Sequence, residues 1–159
     1  MQYPKFIKMK SIILFVLFVI PISVSAQEDN LHWLTDFDAA KKISKNTKKP
    51  ILMYFTGSDW CAPCIMLKED FFSTTEFKSE AEKLILLKVD IPRRTDIISE
   101  KQLKANKKLL TTYNKQGGFP NIIALDNTGK VLGTEGSYSA SLRDPKRYFN
   151  FVRTIIDNY

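Results

Sequence analysis

Apolar residues are grouped in two ways along this chain, and each grouping predicts a different element. Unbroken runs occur at Ile51-Leu52-Met53-Tyr54-Phe55-Thr56, at Leu84 to Asp90 and at Asn121 to Asp126. Short runs without alternation suit strands covered on both faces. Elsewhere the apolar positions recur at helical spacing. Phe37, Ala40 and Ile43 predict a helix through about Lys48, capped by Thr35 or Asp36. A second helix runs from about Cys61 into Phe72, and Thr74 and Thr75 open another helical stretch towards Lys83. A helix from about Ser99 to Asn114 turns Leu103, Leu109, Leu110 and Tyr113 inward. The last helix starts at Asp144-Pro145, with Pro145 in its first position. Its apolar face is Tyr148, Phe149, Val152, Ile155 and Ile156. Breakers separate these elements: Pro50, Gly57-Ser58-Asp59, Ile91-Pro92 and Gly117-Gly118-Phe119-Pro120. Asn127-Thr128-Gly129 makes a hairpin turn into Lys130 to Glu135, and Arg93 to Ile98 reads as a surface loop. The order is α-β-α-β-α-β-β-α.

The first residues follow a different pattern. Lys5, Lys8 and Lys10 precede an apolar stretch from Ile12 to Ile20, which Pro21 breaks, and Val24-Ser25-Ala26 offers small residues for cleavage before Gln27. This is the layout of a secretory signal peptide over residues 1–26. The run stops well short of the roughly 20 residues that span a bilayer. No cysteine follows it, so a lipoprotein anchor is not supported. Residues 27–159 are then expected to form one domain, periplasmic or secreted, and monomeric. The formal charge of +7 falls to about +4 once the three leader lysines are removed. The remaining basic residues are scattered, so a nucleic-acid partner is not expected.

The chain has two cysteines, and both lie in Trp60-Cys61-Ala62-Pro63-Cys64. One helical turn brings two thiols at this spacing together. Cys61 begins the turn, where backbone N–H groups and the helix dipole favour a thiolate. A thiolate attacks a partner's disulfide, and a second cysteine resolves the mixed disulfide. A structural staple is a poor explanation, because so short a loop removes little unfolded-state entropy. Zinc generally takes four ligands. This pair and His32, the single histidine, do not make an intrachain metal site. No bound cofactor is required, since the cysteine pair itself holds the two electrons.

The order of elements, with Cys-x-x-Cys after a central strand and a proline before a later hairpin, resembles the thioredoxin fold. The chain is most similar to exported bacterial domains of the thioredoxin-7 type. The resembling residues are Lys49 through Cys61, Val89-Asp90-Ile91-Pro92, Gly118-Phe119-Pro120, and Leu125-Asp126 through Gly129-Lys130. The resemblance implies an α/β fold with a central mixed β-sheet flanked by helices. It implies Cys61 as nucleophile, Cys64 as resolving thiol, and a cis-proline loop at Phe119-Pro120 that pairs with an extended substrate chain. It also implies a thiol–disulfide oxidoreductase whose partners are disulfide-containing exported proteins. The reductase direction, with a membrane electron donor, is preferred over an oxidase. A peptide-binding module or a redox sensor on the same fold are the other readings. Trp60 serves either as a partner-facing platform or as a shield beside the sulfurs.

The pattern departs from thioredoxin in three places. Thioredoxin has a buried acid in its central strand that helps move the resolving cysteine's proton, whereas Met53-Tyr54-Phe55 offers none. Asp59, Glu69 and Asp70 are the nearest acids in sequence, and one of them or a water is expected to substitute. Asp59 is otherwise expected to cap its turn. Asn121 follows the proline where relatives usually have Thr. The segment from Ile91 to Lys108 is longer than in thioredoxin and is a candidate for partner choice.

Overall fold

Strand β1, Ile51–Thr56, is buried along its whole length. It pairs in parallel with β2, Ile85–Asp90, and antiparallel with β3, Asn121–Leu125. An outer strand β4, Val131–Gly136, pairs antiparallel with β3 and completes a mixed sheet of order β2-β1-β3-β4. The structure, a computed structural model, describes residues 31–159. The expected leader, residues 1–26, lies outside them.

The unbroken apolar runs resolve into two alternating faces. Leu52, Tyr54, Leu86 and Ile122 enter one core, while Ile51, Met53, Phe55, Leu87 and Ile123 enter the other. Successive strand residues point to opposite faces, so a strand with a core on each side must be apolar throughout.

Helix α1, Phe37–Thr47, begins where the Asp36 side chain accepts from Ala39 N at 2.9 Å. Of the two expected caps, Asp36 is the one used. Helix α2, Ala62–Leu67, continues into a π-helical turn, Lys68–Phe72, so the single helix expected there widens at its end. Phe71 and Phe72 are both buried in an aromatic cluster with Phe77 of α3, Thr75–Ala81, and Phe149 of α5, Lys146–Asn158. This cluster anchors the far end of the cysteine helix.

Helix α4, Glu100–Tyr113, packs Leu109, Leu110 and Tyr113 against the second core as expected, while Leu103 is half-buried and Asn106 is the helix's one fully buried residue. Asn106 Nδ2 donates to the Asp90 carbonyl at 2.7 Å and Oδ1 accepts from Gln102 Nε2 at 2.8 Å, so its amide is satisfied within the fold. Pro145 occupies the capping position of α5 rather than its first turn. Its carbonyl accepts from Tyr148 and Phe149 N, while the Asp144 carboxylate takes Lys146 N at 3.0 Å.

The β3–β4 turn is as expected. Asp126 Oδ1 accepts from Thr128 N and Lys130 N, and Gly129 supplies the positive φ of 92°.

Candidate active site at the Cys61–Cys64 pair

Strand β1 ends at Thr56 and the chain turns over Gly57-Ser58-Asp59. The Gly57 carbonyl accepts from Cys61 N at 2.8 Å and from Trp60 N at 3.2 Å. Cys61 therefore enters α2 as its capping residue, and its own carbonyl accepts from Cys64 N and Ile65 N. The two sulfurs are bonded at 2.02 Å, and the cysteines are 3% and 2% exposed. Pro63 lies in the first turn, where a missing N–H leaves no gap in the helix ladder.

Trp60 packs at the edge of the first core. Its indole Nε1 donates to the Ile91 carbonyl at 2.8 Å, and its ring meets Phe119 edge-on with centroids 5.4 Å apart. The side chain is half-buried. The ring lies so close to Gly57 that a Cβ there would sit 2.3 Å from Trp60 Cε2. Only glycine lets the indole fold back in this way.

Phe119-Pro120 is a cis peptide bond. An amide ladder holds the loop before it: Asn114 Nδ2 donates to the Gly118 carbonyl at 2.8 Å, and Asn121 Nδ2 donates to Asn114 Oδ1 at 3.0 Å. The Asn121 departure thus has a structural use, since it orients Asn114. Buried Asn114 was not singled out from sequence; its one signal is an amide at the end of a helix just before a glycine pair.

On the Cys64 side lies a cleft of about 440 Å³, lined in part by Tyr54, Thr56, Ser58, Cys64 and Lys88. No carboxylate lines it among the described residues. Tyr54 donates to the Cys64 carbonyl at 3.2 Å, and burial raises its pKa, so the phenol stays neutral.

The acids nearest in sequence are engaged elsewhere, which corrects the expectation that one of them serves the pair. Arg143 pairs with both Glu69 and Asp70, and Tyr138 also donates to Asp70. Burial pushes the Asp59 pKa up, but backbone N–H bonds from Arg94 and Arg93 outweigh it and hold the carboxyl below its usual range. Asp59 is thus a fixed anion that ties its turn to the loop after β2. The buried acid in this region is Asp90, 4% exposed, whose Oδ1 accepts from Ser58 N at 3.0 Å. It stands on β2 beside Thr56, so sequence proximity to the cysteines did not reveal it.

A fold of this kind, with its cysteine pair at the end of the central strand, has known relatives. The model of the family described as thioredoxin-like, Thioredoxin_7, matches residues 32–126. The chain is 37% identical over 108 residues to a disulfide bond reductase, DsbH, of Chlamydia pneumoniae. It is 23% identical over 111 residues to a thioredoxin-related protein, DsbJ, of the same organism. These alignments cover 67% and 69% of this chain but 63% and 31% of the respective relatives. The solved structure of a DsbH oxidoreductase superposes with a TM-score of 0.69 at 32% identity, covering 80% of this chain and 85% of the other. A disulphide isomerase from Xylella fastidiosa Temecula1, at 22% identity and a TM-score of 0.56 over 74% of this chain and 86% of its own, shares the fold. With its family match extending over more than half the chain, this protein belongs to the thioredoxin-like family Thioredoxin_7.

Proposed function

We propose that this protein is an exported thiol–disulfide oxidoreductase that works as a reductase of other exported proteins. The observation that carries the reading is the Cys61–Cys64 disulfide at the end of β1, bordered by Trp60 and the Phe119-Pro120 loop. The name borne by one relative, a disulfide bond reductase, supports the direction. In the reduced protein, Cys61 thiolate attacks one sulfur of a substrate disulfide, and the other substrate sulfur leaves as a thiolate. Cys64, deprotonated, then attacks the Cys61 sulfur. The Cys61–Cys64 bond forms, and the second substrate thiolate is released and takes up a proton. The substrate gains two electrons and the pair loses two, which a dithiol donor at the membrane restores. Trp60, Phe119 and Pro120 form the rim that receives the substrate chain. Residues 1–26 serve as a cleaved leader, and residues 27–159 form a single domain acting as a monomer in the periplasm.

Equilibration of the pair against glutathione or dithiothreitol buffers tests the direction. A reduction potential near ~−270 mV, as for thioredoxin, fits a reductase; one near ~−120 mV, as for a strong oxidant, would make it an oxidase. Insulin reduction with dithiothreitol tests the activity. Turnover that persists in the Cys61→Ser, Cys64→Ser double variant would overturn the reading.

A further inference from the structure

The loop after β2 is bonded directly onto the cysteine turn. Asp59, two residues before Cys61, accepts from Arg93 N at 3.0 and 3.1 Å and from Arg94 N at 2.9 Å. The Trp60 bond to the Ile91 carbonyl adds a fourth tie. These contacts place Arg93 against the residue adjoining Cys61. Its guanidinium lies over the Trp60 ring, 4.7 Å from the centroid.

A guanidinium over a ring keeps N–H donors for another partner, and a carboxylate matches its donor edge with two parallel bonds. No carboxylate among the described residues forms an ion pair with Arg93, and the residue is exposed. Its charged neighbours have other engagements. Arg94 pairs with Asp96, and both Asp59 oxygens accept backbone N–H groups. Asp59, Arg93, Arg94 and Asp96 sum to zero charge, so the rim exerts little long-range pull on an anion. What Arg93 offers is a contact, felt only by a chain already lying across Trp60.

We infer that Arg93 is a specificity-determining residue: it receives the carboxylate of an Asp or Glu close to the cysteine under attack, and so favours disulfides set in acidic local sequence. This rests on the proposed reductase function, with Cys61 as nucleophile. Arg93 takes part in no bond-making step. An extended chain covers about 3.3–3.6 Å per residue, so an acid up to three residues from the cysteine lies within about 10 Å of it.

The test uses three disulfide-bonded peptides that differ only in having Glu, Gln or Lys at these flanking positions. The readout is the second-order rate of their reduction by the reduced protein. The Glu peptide is expected to react about 3- to 5-fold faster than the Gln peptide, the scale of an exposed charge pair, and the Lys peptide more slowly. Arg93→Gln should remove the spread by bringing the Glu-peptide and Lys-peptide rates to that of the Gln peptide, with the reduction potential of the cysteine pair unchanged. Arg93→Glu should reverse the order. Equal wild-type rates for the three peptides, or a spread that survives Arg93→Gln, would overturn the inference. So would a uniform slowing of all three peptides by Arg93→Gln, which would make Arg93 merely a brace for Trp60. Failure of the wild type to reduce any of the three would refute the reductase reading itself, without recourse to an Arg93 variant.

Discussion

Replacing Gly57 by alanine should damage the site by displacing Trp60. The added Cβ would sit 2.3, 2.5 and 2.6 Å from Trp60 Cε2, Nε1 and Cζ2. The ring cannot yield freely, because Nε1 is bonded to the Ile91 carbonyl and the faces and edges contact Arg93 and Phe119. Overpacking costs about 1–3 kcal/mol, and loss of the indole hydrogen bond about 0.5–1.5 kcal/mol. The expected destabilisation is therefore about 1.5–4.5 kcal/mol, measured by urea unfolding of the oxidised protein with an unchanged m-value. A double-mutant cycle isolates the cause. In a Trp60→Ala background the clash is gone, and Gly57→Ala should be neutral or stabilise by up to about 1 kcal/mol through the unfolded chain. If Gly57→Ala costs less than about 1 kcal/mol in the wild type, or the same in both backgrounds, the packing argument is wrong.

Other consequences follow from the ties around the pair. Asp59→Ala removes the acceptor for Arg93 N and Arg94 N and should speed tryptic cleavage at Arg93 and Arg94 about tenfold, with Asp59→Asn intermediate; equal cleavage rates would show that the clamp does not hold the loop. Asn114→Ala breaks two side-chain bonds and Asn121→Thr one, so Asn114→Ala should be the more destabilising, by about 1–3 against 0.5–1.5 kcal/mol in chemical denaturation. The reverse order would refute the proposed bracing of the proline loop. Hydrogen bonds from Arg143 first, and then Tyr138, hold the Asp70 pKa below the usual carboxylate range. The folded protein therefore binds fewer protons there than the unfolded chain. The resulting stability is complete above about pH 5 and fades as pH falls through the unfolded value near ~3.9 towards the lower folded one. Wild type should exceed Asp70→Asn by about 0.5–1 kcal/mol at pH 7, a figure reduced for solvent screening, and the two should converge near pH 2–3 in urea titrations.

Several parts of this protein were legible before any coordinates. The unbroken apolar run of Ile51–Thr56 implied a strand covered on both faces, and two separate cores do cover it. The helix starts expected near Thr74 and Ser99 are where those side chains cap the helices that follow, because capping depends on a side chain and backbone only three residues away. Cys61 and Cys64 meet across one helical turn for the same reason of local geometry.

What the sequence could not disclose depends on contacts between distant segments. Asp59 bonds residues 34 and 35 positions later, and Asp70 is taken by Arg143, 73 positions later. Nothing local distinguishes these carboxylates from a free acid beside the cysteines. Asp90 reaches the cysteine turn only because β2 lies next to β1 in parallel register. Asn106 is buried beside the expected Leu109, Leu110 and Tyr113 on the α4 face because a strand-end carbonyl takes its amide donor there, a requirement that helical periodicity does not encode. Short-range hydrogen bonding and hydrophobic period thus set the elements and the cysteine turn. Chain pairing across the sheet and long-range capture of polar side chains decided what surrounds that turn.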